Sequence, residues 1–253
     1  MLPFLTDTHA HLCDQAFDQD RREVISRAQK AGVKTIVLVG ETLEDARRNL
    51  ALAGEYPCLK AAAGLYPGYA DLEEAERLVN FIRSQPGSFS AIGEVGLDFW
   101  IAKEEEAREL QRVVFRKFID LAGERDLPLN VHSRSAGRQA VALLLEQGAK
   151  RVQMHAFDGK YSAALPGLEA GFFFSVPPSI VRSPQKQKLV KHLPLSCLLV
   201  ESDSPVLGPE PGQRNEPANI LTAVRAIAQL KNIDPEAVRE AVRENTRGLY
   251  GDL

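Results

Sequence analysis

The sequence predicts an α/β protein of the (β/α)8 TIM barrel class, and three observations carry that expectation. Eight short apolar or β-branched runs recur along the chain, amphipathic segments separate them, and the length of 253 residues matches the about 250 that one such barrel needs. Hydrophobic residues at 44% and charged residues at 26% supply a large core and exclude a disordered chain. Residues 1–253 therefore read as one barrel domain, with no linker, low-complexity segment or repeat to divide them.

The runs fall at residues 4–8, 35–39, 59–65, 91–95, 129–132, 152–155, 172–176 and 198–202. They read as parallel strands buried on both faces. Helical patterns occupy residues 21–31, 43–53, 73–82, 104–122 and 138–146, and Gly32, Pro57, Pro86 and Gly148 stand where several of them must stop. A doubly wound open sheet, the competing architecture, calls for a glycine-rich turn after its first strand. Residues 8–12 instead read THAHL. The most proline-laden loop, residues 208–217, follows the last run.

A net charge of −3 argues against a general polyanion-binding surface, so any contact with nucleic acid must be local. The start of the chain shows no basic segment ahead of an apolar run, so neither a secretory leader nor a spanning helix is read there. Cys13, Cys58 and Cys197 are odd in number and lack C-x-x-C spacing, which suits reduced thiols. The expectation is a cytoplasmic protein with no membrane contact and no obligate protein partner.

Chemistry concentrates where the runs end. His9 and His11 close the first run, and strand alternation points both to the same side. Taken alone, such a pair divides evenly between metal ligand and hydrogen-bonded structural pair. The same residue types recur, however: Glu94 ends the fourth run, His132 the fifth, His155 the sixth, and Asp203 the eighth. In a barrel these ends ring one mouth, so residues far apart in sequence converge. Four of the five histidines lie at such ends, and the fifth, His192, reads as a surface residue in a polar connector.

Four imidazoles and two carboxylates are too many ligands for one four-coordinate ion but suit two divalent ions sharing a carboxylate, with Glu94 the natural bridge. The nitrogen and oxygen set without thiolate suits zinc, manganese, iron or cobalt better than magnesium. The choice among zinc, manganese and magnesium stays open. Asp7 and Glu201 each precede a ligand by two residues, so they are candidates either to orient ligands or simply to balance charge.

These stretches resemble the TatD family of metal-dependent deoxyribonucleases in the amidohydrolase superfamily. The matching segments are residues 7–12 (DTHAHL), 91–99 (AIGEVGLDF), 130–138 (NVHSRSAGR), 155–159 (HAFDG), 201–205 (ESDSP) and 214–217 (RNEP), in the family's order. Residues 173–191, FFSVPPSIVRSPQKQKLVK, are similar to the third TatD-domain-containing deoxyribonuclease branch of animals. The resemblance implies one ion on His9, His11, Glu94 and Asp203 and another on Glu94, His132 and His155. It further implies 3′–5′ exonuclease-like action on single-stranded DNA. One departure stands out: the family commonly reads GxHP after the third strand, and this chain has Gly64-Leu65-Tyr66-Pro67.

Loops after the runs carry Arg134, Arg138, Lys160, Arg182 and Arg214, a cationic rim that suits a phosphodiester. Tyr66, Tyr69, Phe99, Trp100, Phe157 and Tyr161 on the same loops can stack unpaired bases or pack the barrel cap, and Trp100 is the one read as functional. Asp203 and Glu94 are the expected catalytic residues, with Asp203 as proton acceptor. Arg134, Trp100, Tyr66 and Arg214 are expected to bind substrate. The alternative reading is a carbon-centred amidohydrolase cleaving an amide, lactone or aminoacyl ester, although such relatives often carry a modified lysine where this chain has Glu94.

Overall fold

The computed structural model describes residues 4–253, so Met1, Leu2 and Pro3, the first part of the start read for a leader, lie outside the described residues. Among the described residues, eight strands run in chain order: β1 (Leu5–Ala10), β2 (Val33–Leu38), β3 (Leu59–Ala63), β4 (Ala91–Gly96), β5 (Leu129–His132), β6 (Val152–Met154), β7 (Phe173–Val176) and β8 (Leu198–Val200). Each pairs in parallel with the next. The seam between β8 and β1 is closed just past the end of β8, where the Asp203 N–H donates to His9 O and the His11 N–H donates to Ser204 O, both at 2.9 Å. The (β/α)8 barrel read from the sequence is the fold.

Helices α1 (Arg21–Lys30), α2 (Leu43–Glu55), α3 (Leu72–Arg83), α4 (Glu105–Arg125), α5 (Gly137–Glu146), α6 (Tyr161–Glu169), α7 (Pro184–His192) and α8 (Ile220–Lys231) follow successive strands, and α9 (Pro235–Tyr250) is added after the eighth unit. Capping chemistry sets several of their starts: the Asp71 carboxylate accepts from the Glu73 and Glu74 N–H groups, and Ser183 caps α7 with Pro184 as its first residue. His192 ends α7 rather than lying in a connector, which corrects that part of the sequence reading, and it is exposed as expected. Four strands also end earlier than the apolar runs, at Leu38, Ala63, Met154 and Val200, so His155 belongs to the turn beyond its strand.

Two apolar layers result. The larger lies between strands and helices and includes Ile36, Leu38, Phe115, Phe118 and Phe174. A smaller cluster of Val37, Val39, Ala62, Ala91, Leu199, Leu249 and Tyr250 takes the opposite strand faces, so the end of α9 packs against the barrel interior. Above it sits a polar layer: Tyr250 Oη donates to Gln153 Oε1 at 2.6 Å, and Gln153 Nε2 donates to Thr8 Oγ1 at 3.0 Å and Ser175 Oγ at 2.9 Å. A satisfied buried network of this kind fixes one arrangement, because each orphaned donor would cost about 1–3 kcal/mol. No helix among the described residues is long and apolar enough to cross a membrane.

Candidate metal centre

The mouth of the barrel is built on this polar layer. His9 near the end of β1 and His11 just beyond it come together, with their Nε2 atoms 3.1 Å apart. His9 is fully buried, and its Nδ1 lies 2.8 Å from Asn130 Oδ1. Asn130 spends its own N–H on the Thr8 carbonyl at 2.9 Å, so its oxygen faces His9 and must accept. The His9 proton is thereby placed on Nδ1, and the Nε2 lone pair faces the cluster.

Glu94 leaves β4 with its two oxygens divided between two sides. Oε2 lies 3.8 Å from His9 Nε2 and 3.4 Å from His11 Nε2, while Oε1 lies 2.6 Å from His132 Nδ1 and 3.8 Å from His155 Nε2. Asp203 is divided likewise, with Oδ1 3.4 Å from His9 and 3.6 Å from His11, and Oδ2 3.9 Å from His155. The His9 and His155 rings stack at 3.7 Å. The six residues read from the sequence as ligands therefore converge. Asp203 and Ala156 both have left-handed backbones, at φ 54° and 40°, which residues other than glycine rarely adopt.

Further groups brace these rings. The His155 Nδ1 proton is accepted by Glu201 Oε2 at 3.0 Å, and His132 Nε2 lies 3.0 Å from Asp98 Oδ2. Asp98 also receives the Tyr66 hydroxyl at 2.9 Å and, through its other oxygen, the Trp100 and Ile101 N–H groups at 2.9 and 3.0 Å. Of the two carboxylates weighed as orienting groups, Glu201 touches an imidazole and Asp7 does not. Asp7 Oδ1 accepts from the His9 and Ser202 backbone at 3.2 and 2.8 Å, its Oδ2 has no partner, and burial pushes its carboxyl up to about 7.

The electrostatics suit a cation. Burial opposes ionisation of Glu94 and Asp203, yet the surrounding imidazoles hold both well below the ordinary carboxylate range. Burial also works against a charged His132, but Glu94 and Asp98 raise it to about 9. Divalent ions compete with protons for these same lone pairs. Three groups have ligand atoms all within 4.8 Å of one another: His9 with Glu94 and His155, His9 with His11 and Asp203, and His11 with Glu41 and Glu94. The donor chemistry fits a metal, and His132 joins through Glu94 rather than through a triad of its own.

A cavity of about 470 Å³ opens over the cluster, lined among others by Tyr66, Arg134, Asp158 and Lys186. The rim is less cationic than the sequence suggested. Arg214 is not in the mouth: it pairs with Asp20 at 2.6 and 2.8 Å and lies over the Phe17 ring, because the proline-rich loop folds back toward α1. The Arg182 guanidinium donates to the Gly208 carbonyl at 3.2 Å, which leaves Arg134 and Lys186 as the cations lining the cavity. Phe99 and Phe157 are buried packing residues, whereas Trp100 is 57% exposed with the Arg134 guanidinium 5.0 Å from its ring centre.

Sequence reasoning missed four residues here. Asn130 precedes His132 by two, the same spacing that singled out Asp7 and Glu201, and Glu41 follows β2 as other site residues follow their strands. Asp98 lies in the matched AIGEVGLDF segment. Lys186 comes from α7 and carried no signal.

Comparison with known proteins agrees with this picture. The family model described as TatD related DNase matches residues 6–251. The chain is 44% identical over 261 residues to "Deoxyribonuclease TATDN3" of Homo sapiens, covering 98% of this chain and 95% of the relative. It is 35% identical to the "Uncharacterized metal-dependent hydrolase YabD" of Bacillus subtilis, covering 97% and 98%. Among solved structures, the TatD homologue YJJV of Escherichia coli superposes with a TM-score of 0.91 at 28% identity, covering 100% of both chains.

Proposed function

Because the chain belongs to the TatD-related DNase family, we propose that its barrel mouth holds two divalent ions and cleaves single-stranded DNA from the 3′ end. The coarser activity follows from membership: the protein is a metal-dependent hydrolase acting on ester bonds, a deoxyribonuclease. One observation carries the two-ion reading, namely that Glu94 turns Oε2 toward His9 and His11 and Oε1 toward His132 and His155. One ion is assigned to His9, His11, Glu94 and Asp203, and the other to Glu94, His132 and His155.

When bound, such ions supply an activated water and neutralise charge on the attacked phosphate and the leaving oxygen. The chain's own groups do the rest. Asp203 is the proposed acceptor of the attacking water's proton on its position, lining the cavity with Oδ1 3.4 Å from His9 and Oδ2 3.9 Å from His155. Arg134, on the rim of the same cavity, offers a planar fork to phosphate oxygens. Trp100 presents an exposed face beside that guanidinium, and an unpaired base stacks on such a face. Tyr66 holds Asp98, which in turn holds His132.

The free thiols of Cys13, Cys58 and Cys197 support a cytoplasmic setting, and the continuous barrel supports a single domain. Product sizing on single strands labelled at the 5′ or the 3′ end tests the direction of cleavage. Stepwise shortening of the 5′-labelled strand, with release of the label from the 3′-labelled one as a mononucleotide, is the expected result. Fragments cut internally from the outset would overturn the exonuclease reading.

A further inference from the structure

We infer that Glu41 is a further metal-ligating carboxylate, giving an additional oxygen to the cation that His11 and Glu94 hold. The inference rests on the two-ion reading above. Glu41 follows β2, where Gly40 exchanges backbone hydrogen bonds with β4: the Glu94 N–H donates to Gly40 O at 2.9 Å and the Gly40 N–H donates to Gly93 O at 3.3 Å. This pairing sets Glu41 beside Glu94. Its main chain is pinned on both sides, since the Glu41 N–H donates to Asp45 Oδ2 at 3.2 Å and its carbonyl accepts from the Tyr66 N–H at 3.0 Å.

The side chain is treated differently from the backbone. Glu41 offers an oxygen within 4.8 Å of ligand atoms of both His11 and Glu94. Among the described residues its carboxylate has no hydrogen-bond or ion-pair partner, and neither Glu94 nor Asp203 is ion-paired to a lysine or arginine. Three carboxylates thus gather around the His11 imidazole, and among the described residues no lysine or arginine stands in ion-pair reach of them. Glu41 also stands on the wall shared by the mouth cavity and a neighbouring one of about 320 Å³.

The shared imidazole decides between an added ligand and a separate site. His11 turns a single nitrogen lone pair toward the cluster, so it serves one ion. Glu41 consequently joins the ion on His9, His11, Glu94 and Asp203. A third carboxylate makes that ion's surroundings richer in oxygen, which favours manganese over zinc.

Calorimetric titration of the metal-stripped full-length chain with Mn²⁺ and with Zn²⁺, for wild type and Glu41→Gln, tests the inference. The Mn²⁺ affinity of one ion should fall about tenfold or more, the Zn²⁺ affinity should fall less, and the second ion should bind as before. Unchanged affinities would overturn the inference. So would a wild type that binds one more ion than the variant while the remaining ions bind alike, since Glu41 would then hold a site of its own. If wild type binds no divalent ion, the two-ion reading itself falls. Thermal unfolding of the metal-stripped proteins checks that Glu41→Gln folds, and Glu41→Ala gives the same readout if it does not.

Discussion

The floor and the rim of the barrel mouth hold their residues in different ways. On the floor, His9, Glu94, His155 and Asp203 are at most 6% exposed, and the two rings are fixed by Asn130 and Glu201. On the rim, Arg134 and Trp100 stand exposed on loops, with the Arg134 guanidinium and the Lys103 ammonium 5.0 and 4.8 Å from the Trp100 ring centre. Asp98 joins the two levels, binding His132 below and Tyr66 and the Trp100 loop above. Under the proposed function, the buried floor supplies the chemistry and the exposed rim the contact with a flexible strand. Changes to the floor should therefore act on kcat and metal occupancy, and changes to the rim on KM.

The largest effect is expected at the floor. Asp203→Asn keeps the shape and a carbonyl oxygen but cannot accept a proton at neutral pH. With both sites shown to be filled, kcat should fall on the order of 10²-fold or more. Turnover near wild type under that condition would remove Asp203 from the proton-accepting role.

The next effect divides the floor itself. His9→Ala and His11→Ala should weaken one ion, and His132→Ala and His155→Ala the other, on the order of 10- to 100-fold each. Titration with Mn²⁺ resolves the two, and equal loss of both ions in all four variants, with folding intact, would contradict the division.

Rim variants should be milder. Trp100→Ala should raise KM for single-stranded DNA by roughly tenfold, the value of one base stacked on an aromatic ring, with kcat little changed. A fall in kcat at constant KM would move Trp100 into the chemistry. Tyr66→His should shift KM or substrate preference less than tenfold and leave metal content as it was. Gain or loss of a bound ion in that variant would show that this position reaches the metals.

The smallest effect is expected for Arg214→Ala, because Arg214 serves the fold rather than the site. The Arg214 guanidinium, which donates to Asp20, holds that carboxyl below its usual range. A depressed carboxylate contributes stability above its unfolded pKa and loses it as pH falls through the folded value. Any stabilisation is therefore lost as pH falls below about 4, and solvent screens so exposed a pair. DNA hydrolysis should stay within about twofold of wild type, as for other surface changes away from a site. A large loss of activity would return Arg214 to the substrate path.

The same contrast explains what was legible in the sequence. Floor residues sit on or directly after strands, where alternation and parallel topology leave one place for each, so His9, His11, Glu94, His132, His155 and Asp203 could be gathered from sequence positions alone. Rim residues depend on how loops fold. Arg214 looked like a rim cation because its loop follows β8, but the loop turns toward α1 and Asp20. Lys186 reaches the cavity from a helix, where no strand rule applies. Helices α6 and α9 carry weaker sequence signals: α6 has Pro166 in its interior, and α9 lies beyond the eight-unit repeat.

The most direct test of the two-ion floor is to strip the protein of metal and add Mn²⁺ in steps, following bound ions per chain and hydrolysis of a 5′-labelled single strand in the same samples. Hydrolysis should be absent in the stripped protein and rise to its maximum only as the second ion binds. Full activity at one bound ion, or cleavage that persists in the stripped protein, would contradict the account.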